Sequence, residues 1–249
     1  MKVALIVAGQ PRFTPSFPIF LNQLKGVDQI DVYMFLWDSW WATTPEQALS
    51  KVQPLCPPQY NIKRIVVEKE PPYQLPPHHF DHNTEDKESV RWWYKRRRAM
   101  WMSTYRAFEL IDEPYDMIIK GRGDVRLDRD LDLTTVDMSN GAVGPANNRH
   151  GTKGKEICDQ LCMGTPEDMR FFANMTFYVD DYIPIVCDYW EKDVHDWASE
   201  HLLGHYYFKH NRQQVPGNFN IALKAEGRSL FDDKDLHLPT TTFEMIQGR

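Results

Sequence analysis

Apolar residues fall into short runs separated by polar, glycine- and proline-bearing segments, and the spacing within each run predicts its structure. Lys2-Val-Ala-Leu-Ile-Val-Ala8 is continuous and partly β-branched, the pattern of a strand buried on both faces; Gly9-Gln-Pro-Arg12 ends it. Phe17, Phe20, Leu21 and Leu24 recur at helical spacing within Pro15 to Leu24, with Thr14 as the expected cap, Pro15 at the first position and Pro18 inside the first turn. Ile30 to Trp37 is a second strand, closed by Asp38. Pro45 to Val52 is a short helix capped by Thr44, and Asn61 to Val67 is a third strand. Alternating strands and helices predict a parallel sheet with crossover helices. Lys87 to Ile111 reads as a long helix, with Val90, Trp93, Met100, Trp101, Ala107, Phe108 and Ile111 on one broad face. Met117-Ile-Ile119 is another buried strand. Beyond an acidic loop with Asp128, Asp130, Asp132 and Asp137, short strands are expected at Ala142–Gly144 and within Ile157–Gly164. Helices follow from Thr165-Pro166 and over Val194 to Lys209, and a strand over Val215 to Ala225. No internal repeat or domain boundary stands out.

Composition narrows the choices. With 42% hydrophobic residues in 249, the chain can bury a proper core, and 13% aromatic content supplies either core filler or surfaces for sugars and bases. A net charge of −6 argues against nucleic acid, whose phosphates call for a basic surface. Four cysteines (Cys56, Cys158, Cys162, Cys187) are too few for a disulfide framework; no signal peptide is evident, and no segment approaches membrane-span length. A soluble, cytoplasmic protein is expected (host cytoplasm, if it is viral).

The strongest chemical signal is Lys120-Gly-Arg-Gly-Asp124, directly after the Met117–Ile119 strand. Glycines admit close backbone approach, and two cations with a carboxylate could hold a diphosphate and a divalent metal. Open α/β sheets bind ligands at such strand ends. The structural alternative is a polar exit from the strand. Gly9, Gln10 and Arg12 finish a neighbouring strand, as do Trp37 and Asp38, where Trp37 could stack on a base or instead fill the core. Within the long helix, Lys95-Arg-Arg-Arg98 is either a solvated face or a source of one arginine that reaches phosphates. His78, His79, Asp81 and His82 lack recognised ligand spacing, as do Cys158 and Cys162, and the residue after His201 is Leu202 where a zinc protease needs Glu.

Three stretches together carry a resemblance: Val3-Ala-Leu-Ile-Val-Ala-Gly-Gln-Pro-Arg-Phe13, Asp31-Val-Tyr-Met-Phe-Leu-Trp-Asp38 and Tyr115-Asp-Met-Ile-Ile-Lys-Gly-Arg-Gly-Asp124. They are similar to a group of phage, viral and bacterial glycosyltransferases of the GT-A type, the lipopolysaccharide-biosynthesis kind included. Asp159-Gln160, Gly164-Thr-Pro-Glu-Asp-Met169 and Glu200-His-Leu-Leu203 resemble that group's second half, so the likeness runs in order over roughly residues 1–205.

The resemblance implies a single Rossmann-like α/β/α sandwich over 1–249 with a mostly parallel central sheet. Residues 1–127 would form a nucleotide-binding half and 128–249 an acceptor-side half. It implies transfer of a sugar from a nucleotide-diphosphate sugar to a glycan or lipid-linked, lipopolysaccharide-type acceptor. Such enzymes use an Asp-x-Asp motif to hold Mn²⁺ or Mg²⁺ across the diphosphate; here the triplet is Arg122-Gly123-Asp124, with one carboxylate. Asp124 is then the expected metal ligand, with Arg122 replacing part of the metal's charge. Lys120 and Arg122, together with Gly9, Gln10, Arg12, Trp37 and Asp38, are expected to line the donor site. Asp159 and Glu200 are candidates for catalytic base or acceptor binding, beside structural roles as a loop cap and a salt-bridge partner. Two other functions stay open: a nucleotidyltransferase of similar fold, and a non-catalytic glycan- or nucleotide-binding module.

Overall fold

A computed structural model gives the fold, described over residues 1–73, 87–146, 158–181 and 199–223, with side chains from residue 94 in the long helix and over 202–221 in the last segment. The histidine-rich stretch at 78–82, Cys187 and the start of the expected 194–209 helix lie outside the described residues, as does the side chain of Glu200.

Seven strands form the central sheet: β1 (Val3–Gly9), β3 (Ile30–Trp37), β4 (Tyr60–Glu68), β5 (Met117–Gly121), β8 (Ala142–Gly144), β9 (Cys162–Gly164) and β10 (Gln214–Pro216), in the order β10-β8-β9-β5-β1-β3-β4. Pairings β1–β3, β3–β4, β1–β5 and β8–β10 are parallel; β9 alone runs against its neighbours β5 and β8. The chain therefore builds outward from β1 through β3 to β4, then returns to the other side of β1 as β5. That reversal opens a crevice beyond the carboxyl ends of β1 and β5. Small ladders complete the strands: β2 (Leu24–Lys25) with β7 (Leu131–Asp132), and β6 (Val125–Leu127) with β11 (Ile221–Leu223).

Helices cover both faces, and strand parity decides what each meets. Val3, Leu5 and Val7, with Val32, Met34 and Leu36, face α1 (Ser16–Gln23) and α2 (Pro45–Val52), where Phe17, Phe20 and Leu21 are fully buried. Each such side chain contributes about 1.5–3 kcal/mol on burial. Ala4, Ile6, Tyr33, Phe35 and Trp37 face the other way, towards α3 (Lys87–Phe108), α4 (Pro166–Ala173) and α5 (Ser199–Lys209).

The predicted caps at α2 and α4 form: Thr44 accepts from the Gln47 amide and Thr165 from that of Asp168, each with proline just inside the helix. At α1 the structure differs. Pro15 occupies the cap position, and Thr14, one residue earlier, accepts from the Ser16 amide through its hydroxyl at 3.2 Å while donating to the Gly123 carbonyl. The long helix ends at Phe108 rather than Ile111, because the amides of Leu110 and Ile111 turn to the carbonyls of Ala107 and Phe108. The expected strand over 215–225 is two short ones, β10 and β11, in different sheets.

Candidate functional site

The loops that leave β1 and β5 meet above the crevice. Their register sets Val7 beside Gly121, so Gly9-Gln-Pro-Arg12 and Arg122-Gly-Asp124 emerge side by side. Gly9 takes a positive φ of 99°, a conformation glycine adopts without strain, and a Cβ there would sit 3.3 Å from Ser103 Oγ. The glycines of the Lys120–Asp124 stretch serve packing rather than ligand approach. A Cβ on Gly121 would press on Phe20 and Leu5, and one on Gly123 would lie 2.8 Å from the Arg12 carbonyl. That close fit lets the Thr14 amide donate to the Gly123 carbonyl at 3.0 Å, which locks the two loops together.

Between these loops and α3 lies a cleft of about 330 Å³. Its cations are Arg12, Arg96, Arg97, Lys120 and Arg122; its carboxylates are Glu70 and Asp124. Positive charge is thus in excess among the described residues that line this cleft, although the whole chain is acidic. The basic run of α3 divides by helix phase. Arg96 and Arg97 reach the cleft, Lys95 pairs with Glu70 at 3.7 Å, and Arg98 turns to the Thr176 carbonyl (2.7 Å) and Asp180 (3.0 Å). Burial first, then Arg12 and Arg97, push the Arg96 guanidinium down to about 10, still protonated at neutral pH. Burial and Arg122 likewise lower Arg12, with Asp124 opposing them.

Asp124 is buried and both of its oxygens are engaged by one partner. Arg122 Nε donates to Oδ1 at 2.9 Å and Nη2 to Oδ2 at 2.7 Å, a two-pronged pair. The other cleft carboxylate, Glu70, accepts from Gln10 Nε2 at 3.2 Å and lies near Lys95. A hard divalent cation asks for several oxygen ligands. One carboxylate already spanned by a guanidinium, amid a crowd of arginines, does not fit that requirement, and no cluster of three metal-capable side chains occurs among the described residues.

Other expected residues find different places. Lys120 lines the cleft wall, but its fully buried ammonium donates to the carbonyls of Asp159 and Gln160, tying β5 to the turn before β9; burial lowers its pKa. Asp159 is buried behind that lysine and is not part of the cleft wall; its Oδ1 has no hydrogen-bond partner among the described residues. Trp37 is 2% exposed, with its indole N–H on the Ala99 carbonyl, so it is core with only an edge at the cleft, not a stacking platform. Asp38 is exposed and outside the lining, and its backbone amide donates to the Glu68 carbonyl. The sequence reading missed Glu70 and the wall residues Phe13, Ala99, Met100 and Thr104. Glu70 stands at a strand exit as Asp38 does, which was a usable signal.

Compared with the models of known protein families and with curated proteins, the chain matches none. No helix among the described residues is long and apolar enough to cross a membrane.

Proposed function

We propose that this protein is a glycosyltransferase of GT-A type that moves a sugar from a nucleotide-diphosphate sugar to a glycan or lipopolysaccharide-type acceptor. The observation that carries the reading is the position of the arginine cluster, at the crevice where the sheet reverses its strand order. A nucleoside diphosphate leaves with growing negative charge, and preorganised cations in a recessed site stabilise that charge by several kcal/mol. Arg12, Arg96, Arg97 and Arg122 supply them, with Gly9 and Gln10 at the nucleoside end. The mostly parallel sheet with helices on both faces agrees with the fold this function uses.

The test is incubation with a panel of nucleotide sugars, following nucleoside diphosphate release with and without lipopolysaccharide core acceptors. Release with one donor, lost in Arg12→Ala, supports the reading; pyrophosphate release from a nucleoside triphosphate with a nucleotide left on the product replaces it by nucleotidyl transfer. One observation favours a second reading, a non-catalytic binding module. Among the described carboxylates, Glu70 is engaged by Gln10 and Lys95, Asp124 by Arg122, and Asp159 is not part of the cleft wall. That reading expects tight nucleotide-sugar binding with no turnover.

A further inference from the structure

The engagement of Asp124 has a chemical consequence. In a metal-dependent diphosphate site the carboxylate meets the cation, and the cation meets the phosphates. Here the carboxylate spans Arg122 through Nε and Nη2, and Arg122 itself lines the cleft beside Arg12 and the two α3 arginines. Asp124 is the more buried of the pair, with its side chain 11% exposed against 24% for Arg122, so the anchor is the carboxylate and the presented group is the guanidinium. The backbone agrees: Gly123, between them, is clamped against the Arg12–Thr14 loop, which leaves the pair little room to rearrange.

We propose that this cleft binds the diphosphate of its ligand through guanidinium groups without a divalent cation, and that Asp124 is a positioning residue that holds Arg122 in place. This deepens the proposed function and rests on its reading of the cleft as a diphosphate site. Two effects act on Asp124. Its negative charge offsets four crowded arginines, which weakens anion binding slightly, and its two hydrogen bonds hold the planar fork, which strengthens it. The second dominates, because each guanidinium keeps its own charge wherever it points, while a misplaced fork loses its directional bonds to the ligand outright.

The experiment is calorimetric titration of inorganic pyrophosphate into the full chain, in EDTA and in Mn²⁺. Wild type is expected to bind in EDTA with a Kd within about threefold of its value in Mn²⁺. Asp124→Asn and Arg122→Lys should each weaken binding in EDTA about tenfold, since lysine keeps the charge but not the fork. In the double variant the losses should not add, because Asp124 acts through Arg122. Circular dichroism and thermal melting of each variant check folding, and the Arg122→Lys change is mild enough to preserve it. Binding seen only with Mn²⁺ overturns this inference and leaves the diphosphate site standing. Additive losses, or Asp124→Asn binding as tightly as wild type, overturn the positioning role. No pyrophosphate binding in either buffer removes the diphosphate site itself, and this inference with it.

Discussion

The two ends of the central sheet treat charge in opposite ways. At the amino ends of the strands, polar groups satisfy one another. Asp31 is buried, and its carboxylate accepts from Tyr115 Oη (2.8 Å), Gln29 Nε2 (2.8 Å) and Asn61 Nδ2 (3.0 Å). The Tyr33 and Tyr115 hydroxyls lie 2.8 Å apart and Tyr33 Oη lies 3.2 Å from Asp112, which Arg64 meets at 2.9 Å; Tyr33 has one proton and donates it to either Tyr115 or Asp112. Burial pushes the Tyr115 phenol far up, and the bonds to Tyr33 and Asp31 push it further. At the carboxyl ends the arrangement is reversed: guanidiniums crowd together, and burial first, then neighbouring arginines, lower the pKa of Arg12 and Arg96. An edge that closes its own network has a structural task, whereas an edge that concentrates one sign of charge in a cleft is built for a ligand of the other sign.

The comparison breaks most sharply at Asp31. Asp31→Ala leaves the buried Tyr115 hydroxyl without its acceptor, while exposed Gln29 and Asn61 turn to water, and should cost about 2–3 kcal/mol of stability, read from urea denaturation, with pyrophosphate affinity unchanged. If affinity fell in the folded variant, the two edges would be coupled and the division between them wrong. Next comes Gly123→Val. A side chain there meets the Arg12 carbonyl at 2.8 Å and the Phe13 ring at 2.9 Å, so overpacking of about 2 kcal/mol is expected. Unlike the first variant, it should also weaken pyrophosphate at least about tenfold, because displacing the loop moves Arg12.

A finer comparison lies within the basic run of α3. Arg96→Gln should act mainly on the ligand, weakening pyrophosphate about tenfold. Arg98→Gln should do the reverse, costing about 1 kcal/mol by loss of its pair with Asp180 and its bond to Thr176, with affinity intact. Titration and melting of both variants check this, and equal effects on binding would mean that the run acts as a diffuse basic surface rather than through the residues that reach the cleft.

How much of this the sequence shows depends on the physical signal each feature leaves. Ile30–Trp37 is found with its exact bounds because Ile30 and the continuous apolar run from Val32 to Trp37, interrupted only by Asp31, end at a carboxylate. The α2 and α4 starts are legible because Thr-Pro places cap and first turn together. The reversed direction of β9 is not legible, since three residues carry no mark of which way they run. The burial of Trp37 is legible: parity from Tyr33 and Phe35 puts its side chain on the α3 face, in the core packed there. The split of Lys95 to Arg98 turns on helix phase, about 100° per residue, which needs a known inward face to anchor it. Asp124 is the instructive case. Its place at the strand end follows from the pattern of apolar residues, but a carboxylate two positions from an arginine can meet that arginine or a metal, and only the folded loop decides.

The smallest expected effect is one of pH. Burial raises the Asp31 carboxyl, but the hydrogen bonds from Gln29, Tyr115 and Asn61, with Lys63 nearby, outweigh it and hold the folded value below the ordinary 3.8. A depressed carboxyl stabilises the fold above its unfolded value, and that contribution fades as pH falls below 3.8 toward the folded value. Asp31→Asn cannot titrate, so its deficit relative to wild type should be full at pH 6, persist at pH 4.5 and narrow at pH 3 in urea denaturation. Pyrophosphate affinity should follow no such curve between pH 6 and 4.5, because the arginines keep their charge throughout that range. A deficit that stayed constant down to pH 3 would show that the ionised form of Asp31 gains nothing from its donors, and the amino-end network would then be packing with polar decoration rather than a closed electrostatic unit.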